Sequence, residues 1–232
     1  MNVQHLEWDS NFFGLRIGRA DIQSKEDAEE LKSMANLLKN EYDLLYIFDE
    51  NHIGFYAESS NLVDEKVLYS KTCKHKQKYE DITIYKDNVP SNSLYHLAHV
   101  SGGHSRFKLD QRFPCGSFEK LYNRWIENAC PKEGTNKQIF MYCPKGIVKG
   151  MITVEYSDNG LAHIGLAAVD EDCQHSGIGT RIMSTLENNL YQLGYIHTLE
   201  VPTQKSNKNA CRWYEKNGFE IKSITDIYHW WL

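Results

Sequence analysis

The order of elements between residues 138 and 194 constrains the fold most strongly. Two short turn-forming segments, CPKG and SDNG, separate three apolar runs that we interpret as strands of antiparallel hairpins. The loop QHSGIG then leads into a run whose apolar residues recur at helical spacing until Gly194. The strands are QIFMYC, IVKGMITVEY and LAHIGLAAV, and the helix is IGTRIMSTLENNLYQL. Hairpins followed by one long helix indicate a mixed α/β sheet rather than parallel strands joined by helices.

The glycine loop, 174–179, has the composition of an anion-binding turn. Gly177 and Gly179 lack a Cβ atom, so the backbone can approach a ligand closely. The amides that precede and open the helix point outward and form a ready site for an anion, to which Arg181 can add a positive charge. The alternative interpretation is a turn in which the glycines serve only the backbone conformation and no ligand binds.

Two common phosphate-binding motifs fit this loop poorly. A nucleoside-triphosphate loop needs a Lys and a Ser or Thr after its last glycine, whereas Gly179 is followed by Thr180 and Arg181. A dinucleotide fingerprint needs a third glycine where this chain has Ile182. Glu200 lies about where a ribose-binding acid would fall, but the preceding hairpins oppose that fold.

The loop and a second pattern downstream resemble the GNAT superfamily of N-acetyltransferases. The loop matches the acetyl-CoA pyrophosphate motif, Q/R-x-x-G-x-G/A, and the downstream segment matches N-x-x-A-x-x-x-Y followed by G-F. The second set of matching residues is Asn207, Ala210, Tyr214, Gly218 and Phe219. The resemblance covers 94–232 and implies a mostly antiparallel central sheet flanked by helices, with acetyl-CoA as co-substrate and no metal.

The resemblance also implies which residues hold acetyl-CoA. The strand that ends at Val169 is expected to lie along the pantetheine arm, with an amide near its end polarising the thioester carbonyl. Close sheet packing explains the small residues of that strand equally well. The expected cofactor-binding residues are Leu166, Ala167, Ala168, Val169, Gln174, His175, Ser176, Gly177, Ile178, Gly179, Thr180 and Asn207.

A narrower resemblance extends over nearly the whole chain. Four segments are similar to bacterial acetyltransferases of the TDP-fucosamine type, which modify nucleotide-linked 4-amino-4,6-dideoxyhexoses: LEWDSNFFG, SRF, KLYNRWIENA and TQKSNKNACRWY. It implies a truncated GNAT-like N-terminal domain, 1–88, that contributes to the acceptor site ahead of an acetyltransferase domain, 89–232. It places Ser105, Arg106 and Phe107 in the acceptor-side loop, where Arg106 would pair with a diphosphate and Phe107 would flank the sugar or base.

The expected chemistry is direct attack of the amine on the thioester in a ternary complex, without a cysteine nucleophile. The match makes Tyr214 the general acid for the departing thiolate, and the alternative is a core tyrosine that faces Phe219. Asp64 aligns with a carboxylate of the sugar enzymes and is the expected general base, with Glu155 and His163 as alternatives. Two other functions stay open, namely acetylation of a protein N-terminus or other small amine, and CoA binding without catalysis.

The net charge and the N-terminal residues indicate which binding partners and which cellular compartment to expect. The 26 basic and 31 acidic residues give a net charge of −5, which argues against binding to nucleic acid or to an anionic membrane. MNVQHLEWDS lacks the features of a secretory signal, so we expect a cytoplasmic protein. Six scattered cysteines read as reduced thiols. His96, His99 and His104 lack zinc-site spacing.

Local patterns predict the remaining elements. LEWDSNFFGLRIGRADI reads as strand pieces broken at Gly14, and a helix starts at Ser24. KVLYSK and DITIYK read as hairpin strands joined by the basic KTCKHKQK, and LYHLAHV reads as a strand. FEIKSI and IYHWWL read as two closing strands. IYHWWL is either an exposed edge that suggests a homodimer contact or a buried last strand.

Overall fold

A computed structural model describes residues 2–232, which contain ten strands and eight α-helices. The strands are β1 (Gln4–His5), β2 (Ile17–Ile22), β3 (Leu44–Asp49), β4 (Ser60–Thr72), β5 (Ile82–Ile84), β6 (Lys137–Tyr142), β7 (Gly150–Tyr156), β8 (Leu161–Val169), β9 (Thr198–Gln204) and β10 (Glu220–Trp231). The helices are α1 (Glu7–Phe13), α2 (Lys25–Ser33), α3 (Ala35–Glu41), α4 (Asn92–Ser101), α5 (Arg106–Leu109), α6 (Ser117–Ala129), α7 (Ile178–Leu193) and α8 (Lys208–Lys216).

All ten strands belong to one sheet, in the order β1-β2-β3-β10-β4-β9-β8-β7-β6-β5. Neighbouring strands are antiparallel except for the pairs β2–β3 and β8–β9, which are parallel. The predicted hairpin strands β6, β7 and β8 are adjacent and antiparallel. The expected mixed, mostly antiparallel sheet flanked by helices is therefore confirmed.

The C-terminal strand lies inside the sheet. Strand β10 pairs with β3 on one side and with β4 on the other, so a strand from after residue 88 lies between two strands from before it. The division into 1–88 and 89–232 stays a prediction. The interpretation of IYHWWL as an exposed edge for a dimer contact was wrong, because both of its edges are hydrogen-bonded and His229 and Trp230 are buried.

Two segments predicted as strands are helices. The segment before Gly14 forms α1, and Gly14 ends it in the left-handed conformation, with φ +69°. LYHLAHV forms most of α4, whose first turn is capped by the Ser91 side chain. Its buried residues, Leu94, Leu97 and Ala98, recur at helical rather than alternating spacing.

The predicted hairpin between KVLYSK and DITIYK was also wrong. Strand β5 pairs with β6 at one edge of the sheet, whereas β4 pairs with β9 and β10. FEIKSI and IYHWWL are likewise one continuous strand, β10, which carries register shifts where it passes β4. The residues between the two segments, Thr225 and Asp226, pair regularly with Lys66 and Glu65, and the register shifts lie on either side of them.

Helices cover both faces of the sheet at β7. Ile152 packs with the residues of α7, while the next residue toward the N-terminus, Met151, packs with α4 and α6. Gly177 starts α7 with φ +80°, and Gly194 ends it as predicted, with φ +78°. Within residues 2–232, no helix combines the length and apolarity needed to cross a membrane.

Candidate active site

Strands β8 and β9 diverge at the centre of the sheet. They pair only where Leu161–His163 meets Thr198–Glu200. Beyond that point β8 continues beside β7, and β9 continues beside β4. The edge of β8 after His163 is therefore not paired with β9, and its backbone groups are available to an extended ligand.

A bulge in β8 lies beside this opening. The register with β7 shifts between Ile152 and Val154, which places Gly165 and Leu166 opposite Thr153. The Leu166 N–H donates to Thr153 Oγ1 at 2.8 Å, and a Cβ atom on Gly165 would lie 3.0 Å from the same oxygen. The Leu166 amide is already bonded, and successive residues of an antiparallel strand direct their amides to opposite sides. One of Ala167 and Ala168, both opposite β7 residues, therefore directs its amide away from β7, where it can reach a thioester carbonyl.

The glycine loop closes on itself through side chains. Gln174 Nε2 donates to the Val169 carbonyl at 3.1 Å, and the Ser176 hydroxyl donates to the Cys173 carbonyl. His175 and Gly177 both adopt left-handed φ values, +60° and +80°. Left-handed residues at a helix start turn successive amides into one concavity that suits an anion.

The second glycine has a packing role. A Cβ atom on Gly179 would lie 3.3 Å from the Trp213 ring, and Trp213 Nε1 lies 3.3 Å from Thr180 Oγ1. Gly179 therefore lets α8 pack against the start of α7. Arg181 forms an ion pair with Asp81, so its charge is already partnered.

Two further expected site residues lie on or before α8. The Tyr214 ring is buried and contacts those of Tyr69, Trp213 and Phe219 at centroid distances of 5.8, 4.9 and 5.6 Å. Its hydroxyl has no hydrogen-bond partner among residues 2–232. Burial raises the pKa of Tyr214, so the hydroxyl is protonated at neutral pH. Asn207 caps α8 by accepting from the Ala210 N–H at 3.1 Å.

Asp64 on β4 has the properties of a proton acceptor. Its side chain is buried, and Oδ1 has no hydrogen-bond partner among residues 2–232. Burial raises the pKa of Asp64 to about 6, although the positive charges of Arg106 and Lys66 oppose the shift. A carboxylate with this pKa is mostly ionised at neutral pH and can still take up a proton.

The two alternative bases occupy a different environment. The side chain of Glu155 is 64% exposed and lies 3.6 Å from Lys137 Nζ. That of His163 is 51% exposed and lies 3.8 Å from Glu200. Neither is desolvated, whereas Asp64 is.

The acceptor-side loop packs over Tyr46. Ser105 is buried and caps α5 by accepting from the Phe107 N–H at 3.3 Å. The Arg106 guanidinium lies 5.0 Å from the Tyr46 ring centroid and 4.7 Å from that of Phe107. The Phe107 ring in turn stacks on Phe13 at 5.4 Å. The structure thus places Arg106 against aromatic rings, with its charge near Asp64.

Sequence reasoning missed a buried histidine–carboxylate pair under this loop. His229 is fully buried, and its Nδ1 lies 2.7 Å from Asp110 Oδ2. Burial lowers the pKa of His229 to about 4, so the ring is neutral at pH 7. Burial opposes ionisation of Asp110, but hydrogen bonds from His229, Arg112 and Trp231 bring its pKa well below the usual range. IYHWWL is a continuous apolar and aromatic run, which is typical of a strand buried on both faces, and this signal could have placed the histidine in the interior.

The cysteines form no disulfide, and possible metal-ligating side chains are scattered over the described residues. All six cysteines are free thiols. Within residues 2–232, no three His, Cys, Asp or Glu side chains are grouped in a way that could hold a metal ion.

The sequence matches one family model. Residues 106–219 match the model of the acetyltransferase (GNAT) family. A stretch of 72 residues is 31% identical to an uncharacterized N-acetyltransferase of Methanocaldococcus jannaschii. That stretch is 31% of this chain and 46% of the relative, so the match spans less than half of the relative's length.

Solved structures share the fold at low sequence identity. A conserved protein of unknown function from Staphylococcus epidermidis superposes with a TM-score of 0.62 at 13% identity, over 92% of this chain and 83% of that one. A GNAT-family protein from Novosphingobium aromaticivorans superposes with a TM-score of 0.54 at 14% identity, over 87% and 80%. A tandem GNAT protein from the clavulanic acid pathway gives 0.54 at 11% identity, over 92% and 74%.

Proposed function

We propose that this protein, whose residues 106–219 match the model of the acetyltransferase (GNAT) family, moves an acetyl group from acetyl-CoA to the amine of a nucleotide-linked amino-deoxy sugar. The observation that carries the donor half is the divergence of β8 and β9 next to the left-handed glycine loop. The divergence offers an unpaired strand edge, and the loop offers a cluster of amides at a helix start.

On this proposal the donor lies along β8. The amides of the loop bind the pyrophosphate, and the backbone after His163 binds the pantetheine arm. The side chains of Gln174 and Ser176 are used within the loop, so they support its shape while the amides contact the ligand. The amide of Ala167 or Ala168 donates to the thioester carbonyl.

The chemical step needs one base and one acid. Asp64 accepts a proton from the acceptor ammonium, whose freed lone pair then attacks the thioester carbon. The nitrogen bonds to the carbonyl carbon, the carbon–sulfur bond then breaks, and the departing thiolate takes the Tyr214 hydroxyl proton. The nitrogen releases its second proton to solvent, which leaves a neutral amide, and the Tyr214 phenolate regains a proton from solvent. The buried Asp64, with its pKa near 6, and the protonated Tyr214 support these roles.

The acceptor half is supported by a contact between distant segments. Phe13, from LEWDSNFFG, stacks on Phe107, from SRF, at 5.4 Å. The neighbouring Arg106 is close enough to Asp64 for its positive charge to oppose the rise in the Asp64 pKa that burial causes. Two segments that carry the resemblance to sugar acetyltransferases thus meet beside the proposed base. This meeting favours a sugar acceptor over a protein N-terminus.

The test is a panel of acceptors assayed for CoA release and for the acetylated product by mass spectrometry. The panel contains TDP- and UDP-linked amino sugars, free amino sugars, small amines and peptides with free N-termini. The proposal predicts the highest kcat/KM with a TDP-linked 4-amino-4,6-dideoxyhexose. Activity on peptides but on no nucleotide-linked sugar would overturn the acceptor. Acetyl-CoA binding without turnover on any acceptor would leave CoA binding alone as the function.

Deleting residues 1–88 cannot replace this panel as a test of the acceptor. Deleting residues 1–88 removes β3 and β4, the two neighbours of β10, so the remaining sheet loses its connection around the C-terminal strand. Loss of activity after that deletion would report unfolding rather than loss of an acceptor site.

A further inference from the structure

Four buried polar atoms on one side of the sheet have no hydrogen-bond partner among residues 2–232. They are Tyr46 Oη, Asp64 Oδ1, Arg106 Nε and His229 Nε2. A buried polar atom without a partner is rare in a folded protein and costs about 1–3 kcal/mol. Several such atoms in one place form a polar cluster whose hydrogen bonds ordered water or the polar groups of a ligand can complete.

Strand register brings these atoms together. His229 on β10 lies directly opposite Tyr46 on β3, and Ile227, two residues earlier on the same face, lies opposite Asp64 on β4. The His229 and Tyr46 rings stack at a centroid distance of 5.0 Å. Arg106 covers the Tyr46 ring, also at 5.0 Å. The four atoms therefore share the face that α5 covers.

The hydrogen bond to Asp110 determines whether His229 Nε2 is a hydrogen-bond donor or acceptor. The ring is neutral, and the carboxylate of Asp110 accepts only from an Nδ1 that carries the proton. Nε2 consequently presents a lone pair. Trp231 Nε1 donates to the same Asp110 oxygen at 3.0 Å, and Arg112 Nε donates to the other at 2.9 Å, so the carboxylate is held in place.

We propose that His229 Nε2 accepts a hydrogen bond from a hydroxyl group of the acceptor, and that Asp110 is the positioning residue that keeps this nitrogen unprotonated. The inference rests on the proposed function, because it takes the acceptor to bind beside Asp64. Arg106 Nε and Tyr46 Oη donate to oxygen atoms of the same molecule. The site thus selects a polyhydroxylated amine over a simple alkylamine.

His229 is closed off before the acceptor binds. Its side chain has no exposed surface, and the Phe113 ring lies against it edge-on at 5.5 Å. Phe107 lies between Phe113 and Tyr46, at 5.4 and 6.3 Å. An acceptor reaches Nε2 only when these aromatic side chains move, so acceptor binding should change the environment of the ring.

The test compares His229→Phe with His52→Phe. The first keeps an aromatic ring against Tyr46 and removes both nitrogens. The second removes another histidine–aspartate pair, His52 Nδ1 to Asp226 Oδ2 at 2.8 Å, away from the four atoms. With a TDP-linked 4-amino-4,6-dideoxyhexose, His229→Phe is expected to raise the acceptor KM about 10- to 100-fold. The Kd for acetyl-CoA is expected to stay at the wild-type value, and His52→Phe should alter neither quantity.

A second variant tests the positioning role. Asp110→Asn puts an amide donor against Nδ1, which moves the ring proton to Nε2 and turns the acceptor into a donor. The ¹⁵N NMR signals of the imidazole report this tautomer change directly, and the acceptor KM should rise as it does in His229→Phe. A variant that fails to fold is replaced by the wild-type protein, in which the Nε2 signal should shift when the TDP-linked sugar is added.

The outcomes separate this inference from the proposed function. If the wild-type protein acetylates a different amine from the panel, the nucleotide-sugar proposal fails, and His229→Phe is assayed with that amine. An unchanged acceptor KM in His229→Phe overturns the inference while leaving acetyl transfer intact. An Nε2 signal that stays constant at saturating acceptor overturns it as well.

Discussion

Replacing Tyr214 by Phe separates the proposed catalytic role of its hydroxyl from the packing role of its ring. The ring would keep its contacts with Tyr69, Trp213 and Phe219, and no hydrogen bond within residues 2–232 would be lost. The free energy of unfolding should therefore change by less than about 1 kcal/mol. Loss of the general acid should lower kcat about 10²- to 10⁴-fold, which corresponds to about 3–5 kcal/mol of transition-state stabilisation.

Tyr69→Phe is the matched control, since it removes a hydroxyl from the same aromatic cluster. That hydroxyl donates to Glu215 Oε1 at 2.8 Å, so its loss should destabilise the fold by about 0.5–1.5 kcal/mol. Turnover of the folded protein should remain close to the wild-type value. The two variants thus have opposite expected patterns of stability and activity.

The assay follows CoA release with a thiol reagent, and calorimetry gives the Kd for acetyl-CoA. The expected result for Tyr214→Phe is a large loss of kcat with an unchanged Kd and an unchanged midpoint of chemical denaturation. Wild-type kcat in Tyr214→Phe would refute the acid role and leave this residue as a core tyrosine.

Three further variants test the base, the loop and the bulge. Asp64→Asn should lower kcat/KM about 100-fold and remove the rise in rate as pH increases through about 6. Burial raises the pKa of Asp64, so the free energy of unfolding of the wild type falls as pH rises through about 6. Asp64→Asn should therefore be about 1–3 kcal/mol more stable than the wild type at pH 7. This difference should vanish below pH 3.8, the ordinary pKa of an aspartate carboxyl. A variant with an unchanged pH profile would exclude Asp64 as the base. Gly177→Ala is compared with the control Gly116→Ala, since both place alanine at a helix start near φ +80° without a clash. Each variant should lose about 1 kcal/mol of stability. Only Gly177→Ala should raise the Kd for acetyl-CoA in calorimetry. Equal Kd values would argue against a ligand at the loop. Thr153→Val should cost about 1–3 kcal/mol in urea unfolding, since it leaves the buried Leu166 N–H without its acceptor, and a smaller loss would mean that the bulge does not depend on this bond.

Local signals were sufficient where one element specified its own boundaries. The predicted cap at Ser24 forms a reciprocal pair with Asp27, and Gly194 ends α7 in the left-handed conformation. The three hairpin strands also follow from turn residues and apolar runs. The helix predicted from Ser24 is nevertheless two helices, which meet at Met34.

Long-range pairing explains the errors. No local pattern indicates that β10 lies between β3 and β4, and therefore IYHWWL could be read as an edge. β5 is likewise remote from the strand that precedes it, which the basic segment between them does not indicate. Sheet order depends on contacts between distant parts of the chain, and single-sequence periodicity does not report them.

The candidate site likewise contains some features with a local sequence signal and others that depend on contacts between distant segments. The turn formed by the glycine loop could be predicted because its residues are consecutive and the left-handed conformation at Gly177 favours glycine. The pair of His229 with Asp110 joins residues 119 positions apart, so only the fold reveals it. The raised pKa of Asp64 had no local signal either, because it depends on burial by other segments.

The most direct test of acetyl transfer uses acetyl-CoA that carries ¹³C in the acetyl carbonyl, mixed with the protein and a TDP-linked 4-amino-4,6-dideoxyhexose. If the protein transfers the acetyl group to this sugar, the thioester signal disappears as an amide carbonyl signal appears on the sugar nitrogen, with one free thiol released for each amide. A thioester that binds the protein but is never converted to an amide on this sugar or on any other amine would contradict the account.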